Sequence, residues 1–266
     1  MDRTTPGTSA EGVVKDGATT SPRTFAVAET LVNAMRPHAG EAHERGIELL
    51  LDVGADVPAS LSGDAAELGE VVARATRVAI DAAKSDEVVV TVRNAGTSDG
   101  DVALVVDVRA AGVEPAAPIA RCLRAIEAPR HAPLSSARIL VVAERERLRS
   151  ILREELARAG ARTDLAHDFD AALGQLNEAA GAGDRFALIV IALDGAGEAG
   201  HDRARRMVQK MRFSKALAKT PLVVLSPGAR RDPATIGFPL SGIAKLTRPV
   251  TAAALVRAIE GLLIAS

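Results

Sequence analysis

Two regimes of hydrophobic patterning divide this chain. From about Thr24 to Gly112, helical and strand periods are mixed. Phe25 to His43 has helix-like spacing with a break at Pro37, whose ring removes a backbone donor. The apolar run GIELLLDVG reads as a short strand. Asp64 then precedes AAELGEVVARATRVAIDAA, with Glu67 three residues on, the arrangement of a capping box. In that helix Ala65, Leu68, Val71, Val72, Ala75, Ala79 and Ala82 fall on one stripe. EVVVTVRN and DVALVVDVR are β-branched runs joined by NAGTSDG, a hairpin. The order helix, strand, helix, hairpin predicts an α+β layer with helices over one sheet face.

From residue 137 onward the pattern alternates regularly. RILVVA, RTDLA, FALIVIAL, PLVVLS and GIAKLT read as strands. Between and after them, Glu146 to Gly160, Asp168 to Glu178, Asp202 to Met211 and Thr251 to Ile264 read as helices. The unbroken apolar run in FALIVIAL suits a parallel strand covered on both faces. This alternation predicts a doubly wound parallel sheet in the flavodoxin-like order. The functional edge of such a sheet lies at the strands' carboxyl ends. Here that means Ala143 and Glu144, Ala192 to Asp194, Ser226, and Arg248.

Two segments fall outside these patterns. Residues 1–22 are rich in Ser, Thr, Gly and Pro and poor in large apolar side chains, so a disordered tail is expected. Four prolines between Pro115 and Pro133 mark residues 115–136 as a linker, with Ile119 to Ile126 expected as a short helix inside it. The predicted domains are therefore 23–114 and 137–266.

Composition narrows the chemistry. The 266 residues carry 33 Lys and Arg against 34 Asp and Glu, so no global field draws the chain to nucleic acid or an anionic membrane. Five Phe with no Tyr or Trp offer little surface for base stacking. One Cys excludes an internal disulfide or a cysteine-cluster metal site. The N-terminal residues lack the apolar core of a signal peptide and no run is long enough to span a bilayer, so a cytoplasmic location is expected. His38 and His43, five apart, do not share a helical face and read as solvated positions. Cys122 reads as a small buried hydrophobe. The basic run from Arg203 through Arg205, Arg206 and Lys210 to Lys219 reads as a solvated face or a docking surface for an acidic protein.

Residues 137–266 resemble the receiver domain of two-component response regulators. In that family the first strand ends in two acidic residues that hold Mg²⁺; here Ala143 and Glu144 stand there. The phospho-acceptor Asp at the end of the third strand corresponds to Ala192, and the Ser or Thr of the fourth strand to Ser226. The Lys before a cis Pro corresponds to Arg248 before Pro249, and the aromatic switch position to Lys245. The resemblance implies the receiver scaffold, while Ala192 has no carboxylate to accept a phosphoryl group. Glu144 alone is a poor ligand set for Mg²⁺. Arg248 is expected to pair with Glu144, or else with Ser226 to hold a phosphate or sulfate. This is the pattern of a pseudo-receiver, with Asp194 as the alternative, displaced acceptor.

The first segment is similar, more weakly, to the ATP-binding domain of histidine kinases. The Asn residues that hold Mg²⁺–ATP in that family correspond to Arg74 and Val78. Of its D-x-G-x-G turn only Asp107 remains, with Arg109 and Ala111 in the glycine positions. A remnant adenine site at Asp107 and Arg109, or a plain ion pair between them, are the two readings.

The expected fold is thus a flavodoxin-like (βα)5 receiver domain joined to an α+β sandwich of the histidine-kinase ATPase type. The expected function is that of a non-catalytic adaptor in a phosphorelay. Mg²⁺ and ATP binding are expected to be lost or weak. Partners are expected to be a histidine kinase, a phosphotransferase or a response regulator, with a homodimer also allowed. The alternatives are a regulator phosphorylated at Asp194 and a residual ATP-binding kinase fragment.

Overall fold

A computed structural model describes residues 23–84, 86–98, 101–110, 119–126, 133–193, 198–227 and 242–265. The expected tail, residues 1–22, lies outside them. The first domain begins with strand β1 (Arg23–Ala26) and helix α1 (Val27–Met35). At Pro37 the helical path tightens into a single 3₁₀ turn before α2 (Ala39–Glu44). Strands β2 (Glu48–Val53) and β3 (Ser60–Gly63) follow, then helix α3 (Ala65–Ala82). Asp64 caps α3, its side chain accepting from the Ala66 and Glu67 backbone N–H groups at 2.9 and 3.0 Å. Asp64→Ala is expected to cost about 0.5–2 kcal/mol in chemical denaturation, while Asp64→Asn stays close to the parent.

The hairpin is longer than its sequence suggested. Strands β4 (Glu87–Ser98) and β5 (Asp101–Ala110) continue pairing through much of NAGTSDG, with a register shift between Asn94 and Gly96. Gly96 sits at φ +152°, and its N–H donates to the Asn94 side chain at 3.0 Å, so the extra residue is absorbed as a bulge.

Residues Ile119–Ile126 are not a helix. They form strand β6, antiparallel to both β5 and β3, in a six-stranded sheet ordered β1-β3-β6-β5-β4-β2. The segment IARCLRAI has apolar residues at helical spacing (Ile119, Cys122, Leu123, Ile126), yet it is flanked by prolines and only eight residues long. Backbone pairing to two waiting strands outweighs that local spacing. The span expected as a linker therefore supplies a central strand of the first sheet.

The second domain follows the predicted alternation: β7 (Arg138–Val142), α4 (Glu146–Arg158), β8 (Arg162–Ala166), α5 (Phe169–Ala182), β9 (Leu188–Ala192), α6 (Glu198–Phe213), β10 (Leu222–Ser226), β11 (Ile243–Thr247) and α7 (Ala252–Ile264). All its strand pairs are parallel, in the order β11-β10-β9-β7-β8, which is the flavodoxin-like winding. Gly160, at φ +91°, lets the chain turn just after α4.

The two domains share a core. On β2, Leu49 and Leu51 face α1 and α3, while Leu50 faces the other way. Leu50 and Val89 of β4 pack in one cluster with Leu148, Ile151 and Leu152 of α4. The outer face of the first sheet is thus covered by the second domain, which explains the uninterrupted apolar run in β2. Ion pairs border the seam: Arg145 to Asp86 at 2.8 Å and Arg147 to Asp52 at 3.6 Å. No helix among the described residues is long and apolar enough to cross a membrane.

Candidate functional site

The carboxyl ends of β7 and β9 open onto a cavity of about 290 Å³ lined by Ala143, Glu144, Arg145, Asp168, Ala192 and Arg203, with Asp86 contributed by the first domain. Parallel strands buried on both faces place these residues at a common edge, where each strand gives way to a loop. Ala143 and Ala192 are 2% and 3% exposed, so methyl groups form the floor where a receiver would present carboxylates. Arg149 of α4 donates to the carbonyls of Ala143 and Glu144 at 2.5 and 2.7 Å, fixing the loop after β7.

Glu144 is the carboxylate at the end of β7, and it is engaged. Arg203 of α6 reaches it at 2.5 Å, neutralising the charge on which a divalent cation would depend. Asp168 serves as the N-cap of α5, accepting from the Ala171 N–H at 2.7 Å. That hydrogen bond holds its carboxyl below the usual carboxylate range, helped by nearby His167 and Arg203. Among the described residues no cluster of three or more His, Cys, Asp or Glu side chains is arranged to hold a metal ion. The Mg²⁺ that the receiver fold implies therefore has no matching ligand set among them. Asp194, the displaced-acceptor candidate, lies outside the described residues.

Arg248 does not pair with Glu144. Its guanidinium crosses the domain boundary to the Glu48 carboxylate of β2 and also donates to the Leu193 carbonyl. Both side chains of the Arg248–Glu48 pair are 4% exposed. The Arg248–Pro249 peptide is cis. Ser226 is buried beside it, its carbonyl accepting from the Arg248 N–H at 2.8 Å, and its hydroxyl has no partner among the described residues. The void next to Arg248, Glu48 and Pro227 measures only about 10 Å³. A phosphate or sulfate does not fit there, and Glu48 already supplies the anion.

The candidate nucleotide residues are not brought together. Arg74 and Val78 lie on the solvent side of α3, where Arg74 pairs with Glu70 at 2.8 Å and Val78 is 58% exposed. Asp107 lies mid-strand in β5. Its neighbours Val106 and Val108 face α1 and α3, so its own side chain is on the opposite face of the sheet. There it forms an ion pair with Arg109, while its second oxygen is buried without a partner among the described residues. The body of the sheet separates Asp107 from Arg74 and Val78. Asp107 and Arg109 therefore do not converge on one site with Arg74 and Val78.

Three residues that organise this region were not assigned to it from sequence. Glu48 opens an apolar run, which was the available signal. Glu155 falls on the stripe of Leu148, Ile151, Leu152 and Leu156 and is buried with them. Arg203 sat within the basic run, three of whose members are occupied: Arg203 by Glu144, Arg205 by Asp202 at 3.1 Å, and Arg212 by the carbonyls of Ala218 and Thr220.

No protein-family model matches the chain, and a search of curated proteins finds no relative. Solved structures do resemble it. Full-length ShkA in complex with AMPPNP matches 91% of this chain with a TM-score of 0.61 at 18% identity. This chain spans 57% of the length of ShkA. A response regulator receiver protein from Sinorhizobium medicae WSM419 matches 49% of this chain and 96% of its own, with a TM-score of 0.40 at 21% identity. The chemotaxis protein CheY4 of Vibrio cholerae matches 48% of this chain and 99% of its own, with a TM-score of 0.40 at 19% identity. The likeness to ShkA runs through both domains and is one of fold: a flavodoxin-like parallel sheet joined to a six-stranded α+β domain.

Proposed function

We propose that the chain is a non-catalytic regulator in a two-component phosphorelay, acting in the cytoplasm by protein–protein contact through a pseudo-receiver. The observation that carries this reading is the methyl of Ala192 at the acceptor position, on the floor of a cavity whose Glu144 is bound by Arg203. Phosphoryl transfer to a receiver needs a carboxylate nucleophile and a divalent cation beside it; Ala192 has no carboxylate, and Glu144, paired with Arg203, is a poor ligand for that cation. The first domain is a degenerate kinase-type module in which Arg74 and Val78 stand in place of the Mg²⁺–ATP ligands. Partners are proposed to be a histidine kinase, a phosphotransferase or a response regulator. They would be recognised by a surface that keeps the receiver shape while remaining in one chemical state.

The test uses the whole chain. Incubation with acetyl phosphate and Mg²⁺, followed by intact mass measurement, is expected to show no gain of about 80 Da. Titration with Mg²⁺–ATP is expected to give no saturable heat. A mass gain that vanishes in Asp194→Asn would replace this reading with that of a regulator phosphorylated at Asp194. Saturable ATP binding would instead favour a residual kinase fragment.

A further inference from the structure

A cavity beside the domain seam has no part in the phosphorelay reading. It encloses about 670 Å³ between α1 and the β2–β3 loop of one domain, and α4 and the start of α7 of the other. Val32, Val53, Val57, Pro249, Val250 and Ala254 give it apolar walls. Three guanidinium groups also line it: Arg36, Arg158 and Arg257. All three are exposed, which places their charges at its mouth. Among the described residues Arg36 and Arg257 have no ion-pair or hydrogen-bond partner for their side chains. The Arg158 side chain donates only to the Glu154 carbonyl, at 3.3 Å.

The start of α7, a helix of thirteen residues, opens into the same space. Its aligned peptide dipoles favour negative charge there. An independent feature is Glu155, 9% exposed and lining the cavity, whose carboxyl makes no hydrogen bond or ion pair among the described residues.

We propose that this cavity binds a small amphipathic anion, an apolar body carrying one carboxylate, sulfonate or phosphate group, held between the two domains. The apolar walls take the body, and the arginines with the α7 terminus take the head group. A cationic amphiphile would meet three guanidinium groups, and its only counter-charges would be Glu29 at the rim and Glu155 inside. Glu155 suits the anion when it is protonated, because a neutral carboxyl has an O–H to donate. Burial favours that form and pushes its pKa up to about 7, with Asp52 and Glu154 adding to the rise and Arg158 opposing it. Arg158 and Glu154 of α4 and Asp52 of β2 act on Glu155, while Glu29 of α1, Arg36 just after α1 and Arg257 of α7 line the same cavity. The inference does not depend on the phosphorelay reading.

Titration of the full chain with 8-anilinonaphthalene-1-sulfonate, whose charge is constant near neutrality, tests it. One saturable site is expected, weakened about tenfold or more in Arg36→Glu/Arg257→Glu and abolished in Ala254→Phe, which fills the cavity. Circular dichroism confirms that each variant is folded. The parent's affinity should fall as pH rises through about 7, where Glu155 loses its proton, and Glu155→Gln should bind without that dependence. Displacement by phenyl phosphate or by benzoate assigns the head group. The proposal is overturned by any of four results: no saturable site, unchanged binding in both the charge-reversed and the filled variants, tighter binding of 1-naphthylmethylammonium, or displacement by neither competitor.

Discussion

Replacing Glu48 with alanine is expected to destabilise the chain by about 3–5 kcal/mol, because it leaves the Arg248 guanidinium buried without its counter-charge. For a chain of this size that corresponds to a drop in Tm of roughly 6–20 °C. The pair is enclosed, each side chain being 4% exposed, so water cannot take over from the missing carboxylate. Arg248→Met alone should cost less than Glu48→Ala, since an unpaired neutralisable carboxyl is easier to bury than an unpaired guanidinium. The double variant Glu48→Met/Arg248→Met should recover most of the loss, as apolar groups of similar volume commonly replace buried ion pairs at little cost. Calorimetry on the four proteins settles the matter. A cost below about 1 kcal/mol for Glu48→Ala would mean that the guanidinium finds another partner on relaxation.

The second large effect concerns two adjacent leucines. Leu49→Ala and Leu50→Ala should each cost about 2–5 kcal/mol by opening a cavity in a packed core. Their consequences should differ in kind. Leu49 packs within the first domain, whereas Leu50 packs against α4 of the second. Urea unfolding of Leu49→Ala is expected to lower the first domain's stability with the seam intact. Leu50→Ala should weaken the coupling, so that the two domains unfold in separable steps. Identical unfolding profiles for the two variants would show that the seam contributes nothing to cooperativity.

Much of this architecture was legible in the residues. The alternation of FALIVIAL, PLVVLS and their intervening helices led directly to the parallel sheet, because such strands are apolar on both faces. Asp64 with Glu67 marked the start of α3, and Pro37 marked the break between α1 and α2. Strand β6 was not legible, because its partners lie far off in sequence: Arg124 pairs with Ser62, and Cys122 with Ala103. Eight residues with helical spacing carry no trace of partners at such distances. The four-residue strands β1 and β3 were missed because Arg23–Ala26 merges with the pattern of α1 and SLSG has little apolar content.

At the candidate site, the identities at the strand ends were readable and their pairings were not. Arg248 carries a charge that any nearby carboxylate can answer, and only the docking of the two domains selects Glu48 over Glu144. Glu155 was visible as an acidic residue on an apolar stripe, but its meaning depends on the cavity built around it by the other domain.

Because Leu50 and Val89 sit in the same cluster as α4, cutting the chain near residue 130 would not yield two self-sufficient pieces. Each fragment would carry a greasy scar and a stranded charge, Glu48 on one and Arg248 on the other. Such fragments would adhere to unrelated proteins, so material for finding true interaction partners has to be made as the undivided polypeptide.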